Sequence, residues 1–248
     1  SLSVRDAAGS EIAARFALLA GRIQIRIDDE DAVYPLTIDP LMTSPSWTAE
    51  SNQASAHFTT SVATAGDVNG DGYSDVIVGA PLYDNGQTDE GRAFVYLGSV
   101  AGLATSPAWT TESDQASAQF GTSVAPAGDV NGDGFDDVIV GAPLYDNGQT
   151  DEGRAYVYLG SASGLATTPV WTAESNQANA HFGASVATAG DVNGNGRADI
   201  IVGAPLYDNG QTDEGRAFVY LGTASGPATT AAWTTESNQA SAQFGAAV

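Results

Sequence analysis

The chain has no cysteine, no lysine and one methionine, and its eight basic residues among 248 are all arginine. Without cysteine, neither disulfides nor thiolate metal centres contribute. Thirty acidic residues therefore stand almost unopposed, and the net charge is −22. A surface of that sign repels nucleic acid and anionic membranes and attracts cations. No apolar run approaches the length of a membrane span, and the 42% hydrophobic content is that of a globular protein. No signal peptide is legible, and Ser1 is not an initiator methionine. The expectation is a cut mature form or a piece of a longer chain. The charge is uneven: residues 1–46 carry four arginines and seven acids, whereas 47–248 carry four arginines and twenty-three acids.

Much of that charge lies in one kind of loop. Residues 129–137 read DVNGDGFDD, with side-chain oxygens at alternate positions, Asp129, Asn131 and Asp133, and again at Asp137. Gly134 supplies the sharp bend. Hard oxygen ligands so spaced around a glycine suit Ca²⁺, which takes six to eight oxygens in flexible geometry. The loop begins like an EF-hand, but Val140 stands where that motif needs a bidentate Glu. It runs instead into Asp-Val-Ile-Val, a β-branched stretch that predicts a strand. Ordinary Asx-turns draw on the same residue types, so recurrence decides between the two readings. The loop recurs as Asp67, Asn69, Asp71 and Asp75, and as Asp191, Asn193, Asn195 and Asp199.

The copies start 62 residues apart (129 − 67 and 191 − 129), and Trp47, Trp109, Trp171 and Trp233 keep the same step, as do Phe58, Phe120, Phe182 and Phe244. The fifteen residues GAPLYDNGQTDEGRA stand unchanged at 79–93, 141–155 and 203–217. A fixed period of this size marks a repeat architecture. The reading divides the chain into a β-rich lead-in, 1–46, the tail of an upstream domain, and repeats over 47–248. Their bounds are about 47–108, 109–170 and 171–232, with a partial fourth at 233–248. In the second copy the predicted strands are 120–125, 137–140, 154–160 and 170–174. Four short antiparallel strands per repeat describe one blade of a β-propeller, and stacking neighbours buries faces that one blade cannot. In the lead-in, Phe16 and Leu18, then Ile23, Ile25 and Ile27 around Ala20-Gly21, predict a hairpin with one buried face; a short helix over 11–20 competes. Asp28 to Asp31 read as a solvated turn, followed by a strand within 32–41 closed by Pro40.

Phe120-Gly121, a DxNxDGxxD loop and Gly141-Ala142-Pro143, in this order and three times over, resemble the FG-GAP repeat of the integrin α-subunit propeller and its bacterial relatives. The resemblance covers roughly 47–248. It implies an all-β propeller of four-stranded blades, here three full repeats and the start of a fourth, and one Ca²⁺ per full repeat. The backbone carbonyls of Tyr73, Phe135 and Arg197 are expected to complete the three shells. Departures are Phe58-Thr59 in place of Phe-Gly, and Asn195 and Arg197 in the third loop, which leave that loop two carboxylates where the others have three. The fourth copy stops at Val248, and known propellers have about four to eight blades, so further blades or domains of a longer chain are expected.

Catalysis finds little support. Asp136 beside Asp137 resembles the paired acids of glycoside hydrolysis, but its counterparts are Ser74 and Ala198, and the remaining acids recur with the scaffold. His57 and His181 share a position filled elsewhere by Gln119 and Gln243. No Ser-His-Asp, phosphate-loop or His-cluster signature is present, so no catalytic residue and no organic cofactor is expected. Glu90, Glu152 and Glu214 precede Arg92, Arg154 and Arg216 by two residues, which predicts local ion pairs at a strand start. The resemblance places partner-binding loops on the face opposite the calcium loops, at 82–91, 144–153 and 206–215, with 51–57, 113–119 and 175–181. It implies an extracellular, non-enzymatic module that binds a protein or cell-surface ligand, with no nucleic acid and no membrane insertion. A structural spacer, or a propeller appended to an enzyme elsewhere in the chain, is the alternative.

Overall fold

A computed structural model describes residues 3–19, 22–39 and 45–248. Contacts divide the chain into two compact units, Ser1–Thr48 and Ala49–Val248. The first holds β1 (Ser3–Arg5), β2 (Ala14–Leu19), β3 (Arg22–Ile27) and β4 (Thr37–Asp39). β2 and β3 pair antiparallel from Ala14–Ile27 to Leu19–Arg22, so the hairpin replaces the competing helix. The turn at residues 20–21 and the closing Pro40 lie outside the described residues. Ile25 is 43% exposed, so the expected buried face is not formed there; an isolated two-stranded ribbon buries little by itself. Asp28 to Asp31 are exposed, as a solvated turn requires. The strand expected within 32–41 is short and pairs with β1.

The second unit is built from β-branched runs bounded by glycine, which favour extended backbone. It comprises β5 (Ser61–Gly66), β6 (Asp75–Ala80), β7 (Arg92–Tyr96), β8 (Trp109–Glu112), β9 (Ser123–Gly128), β10 (Asp137–Ala142), β11 (Arg154–Tyr158) and β12 (Trp171–Glu174). It continues through β13 (Ser185–Gly190), β14 (Asp199–Ala204), β15 (Arg216–Tyr220), a small ribbon of β16 (Gly222–Thr223) and β17 (Gly226–Pro227), and β18 (Trp233–Glu236). Three antiparallel four-stranded sheets result, in the orders β5-β6-β7-β8, β9-β10-β11-β12 and β13-β14-β15-β18. Each is a propeller blade, and each takes its last strand from residues that the sequence period assigns to the next copy.

The first strand of the second blade begins at Ser123, three residues later than expected. Phe120 and Gly121 belong to the turn before it: Gly121 has φ +87°, and the Thr122 amide donates to the Gln119 carbonyl. Each first strand carries a register shift next to the acidic loop, between Thr64 and Gly66 in β5. Such a bulge re-aims the chain as it enters the loop.

Blades are joined by two devices. Trp109 Nε1 donates to the Ala166 carbonyl of the next blade at 2.8 Å, and its ring meets Tyr158 edge-on at 5.0 Å. Trp171 repeats this with Ala228 and Tyr220. The second device is a glycine contact. A Cβ on Gly79 would lie 1.9 Å from the Gly121 carbonyl oxygen, and one on Gly141 equally close to that of Gly183. The glycine of Gly-Ala-Pro in one blade therefore packs backbone to backbone on the glycine of Phe-Gly in the next. Thr59 occupies the Phe-Gly position of the first repeat at φ +73° and is exposed.

Candidate metal loops and the opposite face

In the first loop, which joins β5 to β6, the amide of Asp71 donates to both Asp67 Oδ1 and Asn69 Oδ1 at 3.1 Å. Gly72 N donates to Asp67 Oδ2, and Tyr73 N to Asp71 Oδ1. The second loop repeats the set: Asp133 N reaches Asp129 and Asn131, Gly134 N reaches Asp129, and Phe135 N reaches Asp133. In the third, Asn195 N reaches Asp191 and Asn193, Gly196 N reaches Asp191, and Arg197 N reaches Asn195. Positions one, three and five of each loop thus turn their oxygens toward the same few amides.

The ninth position is different. Asp75, Asp137 and Asp199 are fully buried. The Asp137 carboxylate accepts from Val130 N and from Gly160 N, each at 2.8 Å. Burial pushes its pKa up to about 7, with the amides of Gly160 and Val130 opposing and the charges of Asp133 and Asp129 adding to the rise. The Asp75 carboxyl is raised for the same reasons. Asp191, at position one of the third loop, is held below the ordinary range chiefly by the amides of Gly196 and Asn195. Position nine is therefore close enough to feel the other acids, but its oxygens are fastened to backbone, and no loop brings three carboxylates within 4.8 Å.

Neighbouring loops touch through the side chain at position seven. A Cβ on Gly70 would stand 2.6 Å from the Phe135 ring of the next loop. Arg197 takes the equivalent place and donates Nε to the Asn131 carbonyl at 3.1 Å. Its cation therefore bears on the second loop as well as its own. Asn195 is partly committed elsewhere, donating its amide to the Gly222 carbonyl. Asp136 caps the first loop from the second blade, accepting from Asp67 N at 2.8 Å.

On the opposite face the loops are tied together. Gln115 clamps Asp146 with two hydrogen bonds, as Gln53 clamps Asp84 and Gln177 clamps Asp208. The ion pairs expected between Glu90 and Arg92 and their counterparts are not formed. Gly91, at φ +80°, breaks the strand alternation on which that pairing rested. Arg154 and Arg216 instead meet Glu174 and Glu236, their partners across the ladder. Glu90, Glu152 and Glu214 turn fully inward. Sequence reasoning missed one arrangement: Glu90, Glu112 and Asp114 bring one oxygen each within 4.8 Å, the only such trio among the described residues. Its signal was Asp114, which stands where the other copies have Asn52, Asn176 and Asn238.

The FG-GAP repeat profile matches residues 58–96, 120–158 and 182–220. These are FG-GAP repeats, homologous to those of integrin α subunits. The chain is similar to integrin alpha-IIb of Mus musculus, 37% identical over 159 residues, which cover 61% of this chain and 15% of that protein. It is similar to integrin alpha-4 of Xenopus laevis, 33% identical over 183 residues, 71% of this chain and 17% of that one. Integrin alpha-V of Gallus gallus is 37% identical over 166 residues, 61% and 15% respectively. The chain thus spans less than a fifth of the length of these relatives. The matches begin at Phe58, Phe120 and Phe182 and end at the last residue of each blade's third strand, so the FG-GAP unit leaves out the fourth strand that carries the tryptophan. No helix among the described residues is long and apolar enough to cross a membrane.

Proposed function

We propose that the repeats are a calcium-binding, non-catalytic adhesion module working outside the cell, which presents the loops 82–91, 144–153 and 206–215, with the inter-blade loops, to a protein or cell-surface partner. The observation that carries the reading is the thrice-repeated convergence of hard oxygens at positions one, three and five, in repeats homologous to those of integrin α subunits. The residues fit the ion: carboxylates, amide oxygens and backbone carbonyls are the donors Ca²⁺ takes. Asp67, Asn69, Asp71 and Asp75 would hold one ion, Asp129, Asn131, Asp133 and Asp137 a second, and Asp191, Asn193, Asn195 and Asp199 a third. The carbonyls of Tyr73, Phe135 and Arg197 would add to the three shells. The ion would supply counter-charge to the loop acids and favour the ionised form of Asp137, whose pKa burial, with the charges of Asp133 and Asp129, pushes up to about 7. The protein side chains fix the second loop and, through Phe135 and Asp136, tie it to the first.

Calorimetry tests the reading. The chelated chain should take up Ca²⁺ with heat, and Asp129→Ala should lose one site while Asp146→Ala keeps all of them. At a hundredfold excess over Kd each occupied site stabilises the fold by about 2.7 kcal/mol, so the melting temperature should drop sharply on chelation. No heat of binding would sink the proposal. The sameness of the loops 82–91, 144–153 and 206–215 favours a second reading, a repetitive spacer; a chain that binds calcium but adheres to no cell surface or immobilised protein in its presence would support it.

A further inference from the structure

The trio Glu90, Glu112 and Asp114 lies at the end of the first blade away from the DxNxDG loops, where the loop from β6 to β7 meets the segment leading to the second blade. Ser117 N, Gln119 N and Phe120 N donate to the carbonyls of Thr88, Asp89 and Glu90, so the two segments are already laced together around it. Glu90 is fully buried, and its Oε2 has no hydrogen-bond partner. Its other oxygen accepts the Asn85 amide. Glu112 Oε1 accepts from Asn85 Nδ2 at 2.7 Å, and Oε2 is likewise sealed and without a hydrogen bond. Arg92 Nε stands 3.1 Å from that Oε2, an ion pair outside hydrogen-bond geometry.

The other two blades provide the contrast. Arg154 puts both Nε and Nη2 on Glu174 Oε2, at 3.1 and 2.6 Å, and Arg216 does the same to Glu236. There the third residue is a neutral Asn176 or Asn238. Glu152 Oε2 and Glu214 Oε2 are without a hydrogen bond as Glu90 Oε2 is; the first blade alone adds a third carboxylate and a second such oxygen, that of Glu112. Three carboxyl groups thus face one guanidinium. Two oxygens bound to one Ca²⁺ at 2.3–2.6 Å are at most about 5 Å apart, and this trio lies within that limit at 4.8 Å.

We propose that Glu90, Glu112 and Asp114 form a further divalent-cation site, for an ion of the Ca²⁺ or Mg²⁺ class, on the face opposite the DxNxDG loops. The ion pins the loop 82–91 to the segment 113–119, and so the first blade to the second. The site is independent of the loop ions and stands whether or not they bind.

The test is a Mn²⁺ titration of the whole chain, to millimolar concentrations, followed by amide NMR; Mn²⁺ favours the same hard oxygens. Signals of Asn85, Gly91 and Ser113 should broaden and should recover when Ca²⁺ or Mg²⁺ displaces Mn²⁺. Asp114→Asn installs the residue that blades two and three carry and therefore keeps the fold; it should abolish broadening at those three amides. Broadening at Gly70, Gly132 and Gly194 reports the loop sites separately and should be unchanged by that variant. Asn85, Gly91 and Ser113 that stay sharp in the wild type, or broaden equally in Asp114→Asn, would overturn the proposal.

Discussion

The second and third blades are nearly the same sequence in different circumstances. Trp171 and Trp233 occupy one repeat position, yet Trp171 is 5% exposed and Trp233 51%. Phe182 is fully buried and Phe244 is 40% exposed. In the same way Asp129 is half-buried beneath the third blade, whereas Asp191 is exposed. A repeat's tryptophan is therefore buried by the blade that follows it, as Trp171 is by Ala228 and Tyr220, and its phenylalanine by strands that come after it, as Phe182 is by Phe218 and Tyr220, as expected of a quasi-one-dimensional array.

The largest test of that comparison is a pair of tryptophan deletions. Trp171→Ala should cost about 3–5 kcal/mol, because it opens a cavity and leaves the Ala228 carbonyl without its donor. Trp233→Ala should cost about 1 kcal/mol or less. Denaturant unfolding of the two variants measures both, and equal losses would mean that each blade is stable by itself. The glycine contact gives the next effect. Gly121→Ala pushes a methyl toward the Arg92 carbonyl and the Gly79 backbone, and should cost about 1–3 kcal/mol. Thr59→Gly, at the matching but exposed place, should not destabilise and should gain up to about 1 kcal/mol, because glycine relieves the positive φ.

A smaller effect separates the loop positions by pH. In the chelated chain Asp137 has a folded pKa near 7, raised above its unfolded value. Between those values the native state binds the extra proton, so stability falls as pH rises through that window and is greatest below the unfolded pKa. Asp191, shifted down, acts in the opposite sense: its contribution is present at neutral pH and is lost as pH falls through its folded pKa. Carboxyl carbon shifts followed by NMR should show Asp137 titrating far above Asp191, and Ca²⁺ should move Asp137 down. The smallest expected effect concerns Arg197, whose guanidinium lies on the second loop. Arg197→Phe, copying Phe135, should tighten Ca²⁺ at that loop about twofold to threefold, and less in high salt. An unchanged affinity there would confine the influence of Arg197 to its own loop.

The blade architecture was legible because its signals are local. The 62-residue step, the Asp-Val-Ile-Val-Gly-Ala runs and the glycine-punctuated loops fix strands and turns from neighbours a few residues away. The convergence of positions one, three and five was legible for the same reason, since the bonds that make it join residues two to five apart. What lay beyond reach depended on residues distant in the chain. The inward turn of Glu90 follows from the positive φ of Gly91 and from the Arg92–Glu112 register. The position-seven contacts join residues more than sixty apart, so nothing in the third loop alone announced that Arg197 reaches the second. The sequence by itself determined the repeat, its strands and its oxygen-rich loops, because hydrophobic alternation and turn chemistry act over short range. Tertiary structure alone decided which copies of one tryptophan, one phenylalanine and one aspartate are buried, because burial is conferred by the next blade and not by the residue.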